Sequence, residues 1–258
     1  MPTPISRRDL LQVTASGALL AGCASGSRDS AAAPSPTQDA PAGPADGSSP
    51  TPGQGAATAL PDQVEHGPRD RTMVALTFHG QGEPGLATAL LTEAEKAGAR
   101  LTVLAVGSWL DAYPQLARRV LDGGHELGNH TQNHGDIGAM SAAQATAEIT
   151  GCAQRLRKLT GSQGRWFRPS QARLTTPLVV RLAQQAGYPH LLSYDVDTLD
   201  YTDPGAAQVR AAVAAQARNG SVISLHFGHS GTVTALPGIL DDLHRRGLRA
   251  VTTSELLT

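Results

Sequence analysis

"TMVALTFHGQGEPGLATALLTEAEKAG", residues 72–98, contains one full repeat of the architecture of this chain. A short apolar run, "TMVALTF", has the length of a buried strand, and "GLATALLTEAEKAG" that follows has the length and composition of a helix. The rhythm continues downstream. "RLTVLAV", "HELGNH", "RWFRP", "PHLLSYDVD", "SVISLHF" and "LRAVTT" read as strands, separated by the helical stretches "YPQLARRVLDGG", "SAAQATAEITGCAQRLRKLTG", "PLVVRLAQQAG", "AAQVRAAVAAQARNG" and "VTALPGILDDLHRRG". Gly98, Gly123, Gly161, Gly187, Gly220 and Gly247 close helices, as left-handed C-caps do before a chain turns back into a strand. About six or seven βα units predict an α/β fold with a parallel sheet, open or closed into a barrel.

In either closure the chemistry sits at the carboxyl ends of the strands. His79 ends the first strand, His130 and His134 follow the third and Arg168 ends the fourth; Asp195, Asp197 and Asp200 trail the fifth, and His226 ends the sixth. Five separated segments therefore bring ionisable residues to one rim. Within "HTQNH", residues 130–134, the two histidines stand four apart, and a helical segment would place both imidazoles on one face, converging on one divalent ion.

The first quarter of the chain is different in kind. Arg7 and Arg8 precede a short apolar run, and Leu20, Ala21 and Gly22 lead directly to Cys23, a stretch similar to a bacterial lipobox. Residues 1–22 therefore read as a twin-arginine signal peptide, with cleavage before Cys23 and lipidation of its thiol. The run is too short to span a bilayer core of about 30 Å. Residues 23–70, rich in Ala, Pro, Gly, Ser and Thr, read as a disordered linker, because such a segment cannot bury enough apolar surface to offset its ordering entropy. The folded domain is expected over 71–258, in a monomer held at the outer face of the bacterial membrane by the lipid on Cys23. With Cys23 set aside only Cys152 remains, so no intrachain disulfide is available, and Cys152 reads as a small buried hydrophobe. A net charge of −1 without a basic run argues against nucleic acid as a partner.

"GHELGNHTQNH", "YDVDTLDY", "FRP" and "SLHF", in their order along the chain, resemble the polysaccharide deacetylases of carbohydrate esterase family four, the NodB homology domain. The resemblance spans nearly all of 71–258. It implies a distorted, incomplete (β/α) barrel acting on N-acetyl groups of glycan. It also implies a divalent metal, usually zinc, on His130 and His134, with His226 as the acid that protonates the departing amine. Asp197 is implied as the carboxylate that orients His226, with Asp195 and Asp200 as alternatives. Arg168 matches a motif that contacts the catalytic base in the family. Tyr201 stands where the family has tryptophan and keeps an aromatic wall for a sugar, while Gln171 and Ala172 replace tyrosine and glycine at the cleft.

The first motif departs from the family. Members read TFDDG, where one aspartate is the base and the other a metal ligand; this chain reads "TFHGQG", residues 77–82, with His79 and Gly80 in those places. Three outcomes follow: His79 completes a three-histidine zinc site, which leaves a position open for water; His79 acts as the base, kept neutral by Arg168; or the protein binds acetylated glycan without hydrolysing it. Ser224 replaces a leucine of the acetate pocket, which leaves hydrolysis of another C–N or ester bond open. Trp109 and Trp166 are sugar platforms or core, His125 a barrel hydrogen-bonder, His229 a cleft or loop residue, and Asp136 and Glu83 spare carboxylates.

Overall fold

The computed structural model describes residues 60–258. In chain order the elements are β1 (Gln63–Val64), β2 (Met73–Gly80), α1 (Pro84–Lys96), β3 (Thr102–Ala105), α2 (Gly107–Ala112), α3 (Gln115–Asp122), β4 (Glu126–Asn129), α4 (Ala142–Thr160), α5 (Pro177–Gln185), β5 (Leu191–Leu192), β6 (Val196–Asp197), α6 (Ala206–Gln216), β7 (Val222–His226), α7 (Ser230–Arg245), β8 (Arg249–Val251) and α8 (Thr253–Leu257). All ladders between these strands are parallel. The order β4-β3-β2-β7-β6 forms the main sheet, with β8 also on β2 and β1 on β5. Single bridges through Phe167 join Asn129 to Leu191, so the wall continues from β4 toward β5 without a full ladder. The result is α/β, a distorted barrel with a thinned wall.

Period-2 alternation sorts the central strands into two faces. On β2, Val74, Leu76 and Phe78 pack outward with Leu90 and Leu91 of α1 and Leu236 and Ile239 of α7, while Ala75 joins Leu104, Trp166, Leu192 and Val222 in an apolar plug inside the barrel. The next inward positions above that plug are Thr77 and His79 on β2 and Ser224 and His226 on β7. The barrel interior thus changes from apolar to polar toward the carboxyl ends.

Several expectations need correcting. The folded part begins before residue 71: Val64 is fully buried, β1 pairs with β5, and Arg69 reaches the Asp195 carboxylate at 2.7 Å. The linker therefore cannot extend to residue 70, because this segment supplies the strand that covers β5. "RWFRP" is no strand but a bridge at Phe167, and "PHLLSYDVD" divides into two short strands. Gly123 has φ −78° and the left-handed turn falls on Gly124; Gly220 lies past the end of α6, in the turn that enters β7. Gly161 caps α4 as expected at φ +84°, opposite a capping box of Ser141 and Gln144. No described helix is long and apolar enough to cross a membrane. The signal peptide, Cys23 and linker residues 23–59 lie outside the described residues.

Candidate metal and catalytic site

Four histidines meet at the mouth of the barrel. His79 Nδ1 lies 2.7 Å from His130 Nε2, and His134 Nε2 lies 3.1 Å from the same atom. His226 stacks on His79 with ring centroids 4.1 Å apart, as their directly paired positions on β7 and β2 require. Among the described residues, His79, His130 and His134 are the group able to hold an ion.

The two loop histidines do not converge by a helix. Residues 130–134 are irregular, and Thr131 and His134 take left-handed φ values of 68° and 60°. Each such turn costs a non-glycine residue about 1–2 kcal/mol, which local bonds offset. The Thr131 amide donates to Asn129 Oδ1, the His134 amide to Thr131 Oγ1, and Gln171 Nε2 to the His134 carbonyl. Glu148 on α4 accepts from both the amide and the side chain of Asn133.

The nitrogen atoms fit a divalent metal. His130 Nδ1 lies 3.0 Å from the Arg168 carbonyl, which can only accept, so Nε2 turns its lone pair toward the other rings. Separations of 2.7 and 3.1 Å are shorter than the about 3.3 Å expected between nitrogens on a tetrahedral zinc, so the rings would part by about 0.2–0.6 Å to hold one. All three imidazoles are driven toward the neutral, ligating form. Burial holds His79 and His130 well below the ordinary histidine value, helped by neighbouring histidines and Arg168, and burial followed by His226 lowers His134.

Arg168 lies beneath this cluster, fully buried. It donates to the Leu192 and Ser193 carbonyls and to Thr77 Oγ1, and its Nη1 is 3.4 Å from His79 Nε2. Burial lowers its pKa to about 10, so it stays charged.

The partner of His226 is Asp200 and not Asp197. His226 Nδ1 is 2.8 Å from Asp200 Oδ1, and the His226 amide donates to Oδ2 at 2.8 Å. Thr232 and Thr198 hydroxyls donate to the same carboxylate. Although burial opposes its charge, these bonds and His226 outweigh it and depress the Asp200 pKa. Asp197 instead accepts from the Leu199 amide, and Asp195 is occupied by Arg69, Ser221 and the Val222 amide. The reason is local: Leu199 adopts a left-handed φ of 53°, folding the chain back so that Asp200, not the strand residue Asp197, meets β7.

A cavity of about 370 Å³ opens over the cluster, lined by His79, His134 and His226 with Gln171, Asp197 and Tyr201. Tyr201 is half exposed, with its ring edge-on to His226 at 5.1 Å. Trp109 and Trp166 are core: both are buried, and their ring N–H groups donate to the Gly82 carbonyl and Ser254 hydroxyl. His125 accepts from the Leu101 amide, and His229 bonds Asp203 at the cavity edge. Asp136 caps a short turn, and Glu83 is exposed outside the histidine group. Cys152 is a buried thiol pushed up to about 12 by that burial. Sequence reasoning missed the contact between Ser224 Oγ and His79 Nε2, 3.1 Å apart. The alternation that places Ser224 on the same strand face as His226 was the available signal.

The family model for polysaccharide deacetylase matches residues 66–191. A peptidoglycan-N-acetylglucosamine deacetylase of Bacillus cereus is 31% identical over 194 residues, 74% of this chain and 90% of the relative. The chain belongs to the polysaccharide deacetylase family. Among solved structures, the peptidoglycan deacetylase PdaC of Bacillus subtilis matches this family member at TM-score 0.67 and 25% identity, covering 73% of this chain and 91% of that one. BA3943 of Bacillus anthracis, described as a family 4 pseudoenzyme, shares the fold at TM-score 0.73 and 22% identity, covering 78% and 70% of the two chains. A mutant of BA3943 is described as having restored activity. The family's deacetylases are metal-dependent hydrolases of the N-acetyl amide bond, and a pseudoenzyme stands among its structural neighbours.

Proposed function

We propose that this domain removes N-acetyl groups from cell-wall glycan with a divalent metal, zinc by its all-nitrogen donor set, held by His79, His130 and His134. The observation that carries the reading is the meeting of three neutral imidazoles beside a His226–Asp200 pair on one cavity. The ion supplies a Lewis acid and lowers the pKa of water. The protein's own residues do the rest. Tyr201 offers the face on which a sugar ring stacks. Asp200 fixes the Nδ1–H tautomer of His226 and stabilises its imidazolium, which leaves Nε2 as the proton carrier at the cavity. As water adds to the acetyl carbon, the free Nε2 of His226 takes its proton. The imidazolium held by Asp200 gives that proton to the amide nitrogen as the C–N bond breaks, releasing acetic acid, which ionises to acetate, and a free amino sugar.

A second reading, a silent glycan binder, is favoured by one observation: Asp197 is the sole carboxylate lining the cavity among the described residues, and none stands at the first motif. Acetate release from N-acetylated peptidoglycan fragments separates the two. Hydrolysis predicts release that stops with chelator and in His226→Ala; no chelator-sensitive release from any acetylated amino sugar leaves the binder.

For location, we infer twin-arginine export and lipidation at Cys23, supported by Arg7, Arg8 and the "LAGC" stretch. Mass spectrometry of the mature N-terminus tests it: a diacylglyceryl cysteine is expected, and an intact residue 1 in membrane-free protein refutes it.

A further inference from the structure

His79 Nε2 has two neighbours of different kinds. Arg168 Nη1, 3.4 Å away, can only donate and favours a lone pair on Nε2; Ser224 Oγ, at 3.1 Å, can donate or accept and is the one of the two able to take a proton from Nε2–H. The choice decides what Nδ1 can do. With the proton on Nε2 and given to Ser224, Nδ1 presents a lone pair 2.7 Å from His130 Nε2, as a shared cation requires. With the proton on Nδ1, the ring merely bonds His130 and cannot be a ligand. Ser224 is 1% exposed, and the nearer of the two neighbours.

We propose that Ser224 is a positioning residue that holds His79 in the tautomer with a free Nδ1 and thereby sets the metal affinity of the three-histidine site. This rests on the ligand set argued above. Strand register makes the device possible: Thr77 is directly opposite Ser224 and His79 directly opposite His226, so Ser224 reaches diagonally to the His79 ring from the adjacent strand. A leucine at 224 would leave His79 without its acceptor.

The test is Co²⁺ and Zn²⁺ titration of the full chain and of Ser224→Ala, Ser224→Leu, Ser224→Thr and His79→Ala, with ¹⁵N-histidine NMR of the zinc form. Removing an outer partner of a metal-ligating histidine typically weakens binding about 10- to 100-fold. That loss is expected in the Ala and Leu variants and reversal in Thr, which restores the hydroxyl, with His79 protonated on Nε2. Unchanged affinity in Ser224→Ala and Ser224→Leu, or a proton on Nδ1 of His79 in the loaded protein, overturns the proposal while leaving the ligand set intact. Wild-type affinity in His79→Ala overturns the ligand set and the proposal together. Adding Ser224→Ala to His79→Ala should produce no further loss; a further loss assigns Ser224 a merely structural effect and counts against the proposal.

Discussion

Asp200→Asn is the sharpest perturbation of the proton-carrying pair, because its consequence follows from four hydrogen bonds. Oδ1 faces His226 Nδ1 and the Thr198 hydroxyl, and Oδ2 faces the His226 amide and the Thr232 hydroxyl. An asparagine must turn its NH₂ to one side. The main-chain N–H of His226 cannot become an acceptor, so the NH₂ turns to Nδ1 and drives the His226 proton onto Nε2. Thr198 loses little, since its hydroxyl also reaches the Ser224 carbonyl at 2.8 Å. The folded state loses the charge assistance of its bonds, about 1–3 kcal/mol in total. Asp200→Ala strands the partners entirely and costs about 3–5 kcal/mol. Catalysis suffers more: the wrong tautomer with no carboxylate behind it lowers kcat on the order of 10³–10⁴-fold. Steady-state acetate release with denaturant unfolding reads both quantities. Asp197→Asn is the control, expected near wild type in kcat and within about 0.5 kcal/mol in stability. A loss of kcat in Asp197→Asn with none in Asp200→Asn would refute the assignment.

Other perturbations follow from the same geometry. His130→Ala should abolish stoichiometric metal, because its Nε2 is the atom both other rings approach; retained metal by elemental analysis would contradict this. Because folding depresses the pKa values of His79, His130 and His134, the unfolded chain takes up protons first as pH falls below the ordinary 6.5. Stability of chelated protein is then complete above about 6.5 and declines below it, with Asp200 adding a further loss as pH falls through its depressed value. Denaturant midpoints that rise on acidification would refute that sign. Tyr201→Ala should raise KM with a smaller effect on kcat, whereas Trp109→Ala should cost about 3–5 kcal/mol of stability; a purely kinetic Trp109 effect would return it to the cleft. Cys152 should resist thiol reagents until the chain unfolds, and rapid native labelling would show otherwise.

The fold was legible because its signal is periodic. The strand β2 carries Val74, Leu76 and Phe78 outward and Ala75, Thr77 and His79 inward, and the helices between strands end in turn residues that local chemistry dictates. His79, His130, His134 and His226 were legible for a related reason, each lying at or just after a strand's carboxyl end. What failed were positions fixed by unusual backbone. No propensity announces a left-handed Leu199, Thr131 or His134, so the sequence points to Asp197 before Asp200 and offers only a conditional helix as the way to bring His130 and His134 together. The residues before β2 failed for composition: Gln63–Val64 follow a Pro- and Gly-rich stretch, and their strand exists because β5 offers it an open edge.

The departures from the family pattern are best understood as one change. A carboxylate at position 79 would face Arg168 from 3.4 Å or so, in a buried site where opposite charges satisfy each other; a histidine there leaves the guanidinium hydrogen-bonded to the Thr77 hydroxyl and the Leu192 and Ser193 carbonyls, with Asp197 the nearby opposite charge. The same exchange puts a ring nitrogen where a leucine at 224 could not answer it, and Ser224 can. Restoring aspartate at 79 alone would then return the pairing with Arg168 but leave the Ser224 hydroxyl facing a carboxylate, which it can serve as donor. His79→Asp should therefore fold and keep a metal site, with weaker dependence of affinity on Ser224 than wild type. If Ser224→Ala weakens metal binding equally in both backgrounds, the serine acts on the barrel as a whole rather than on the imidazole, and the coupling between the two positions is wrong.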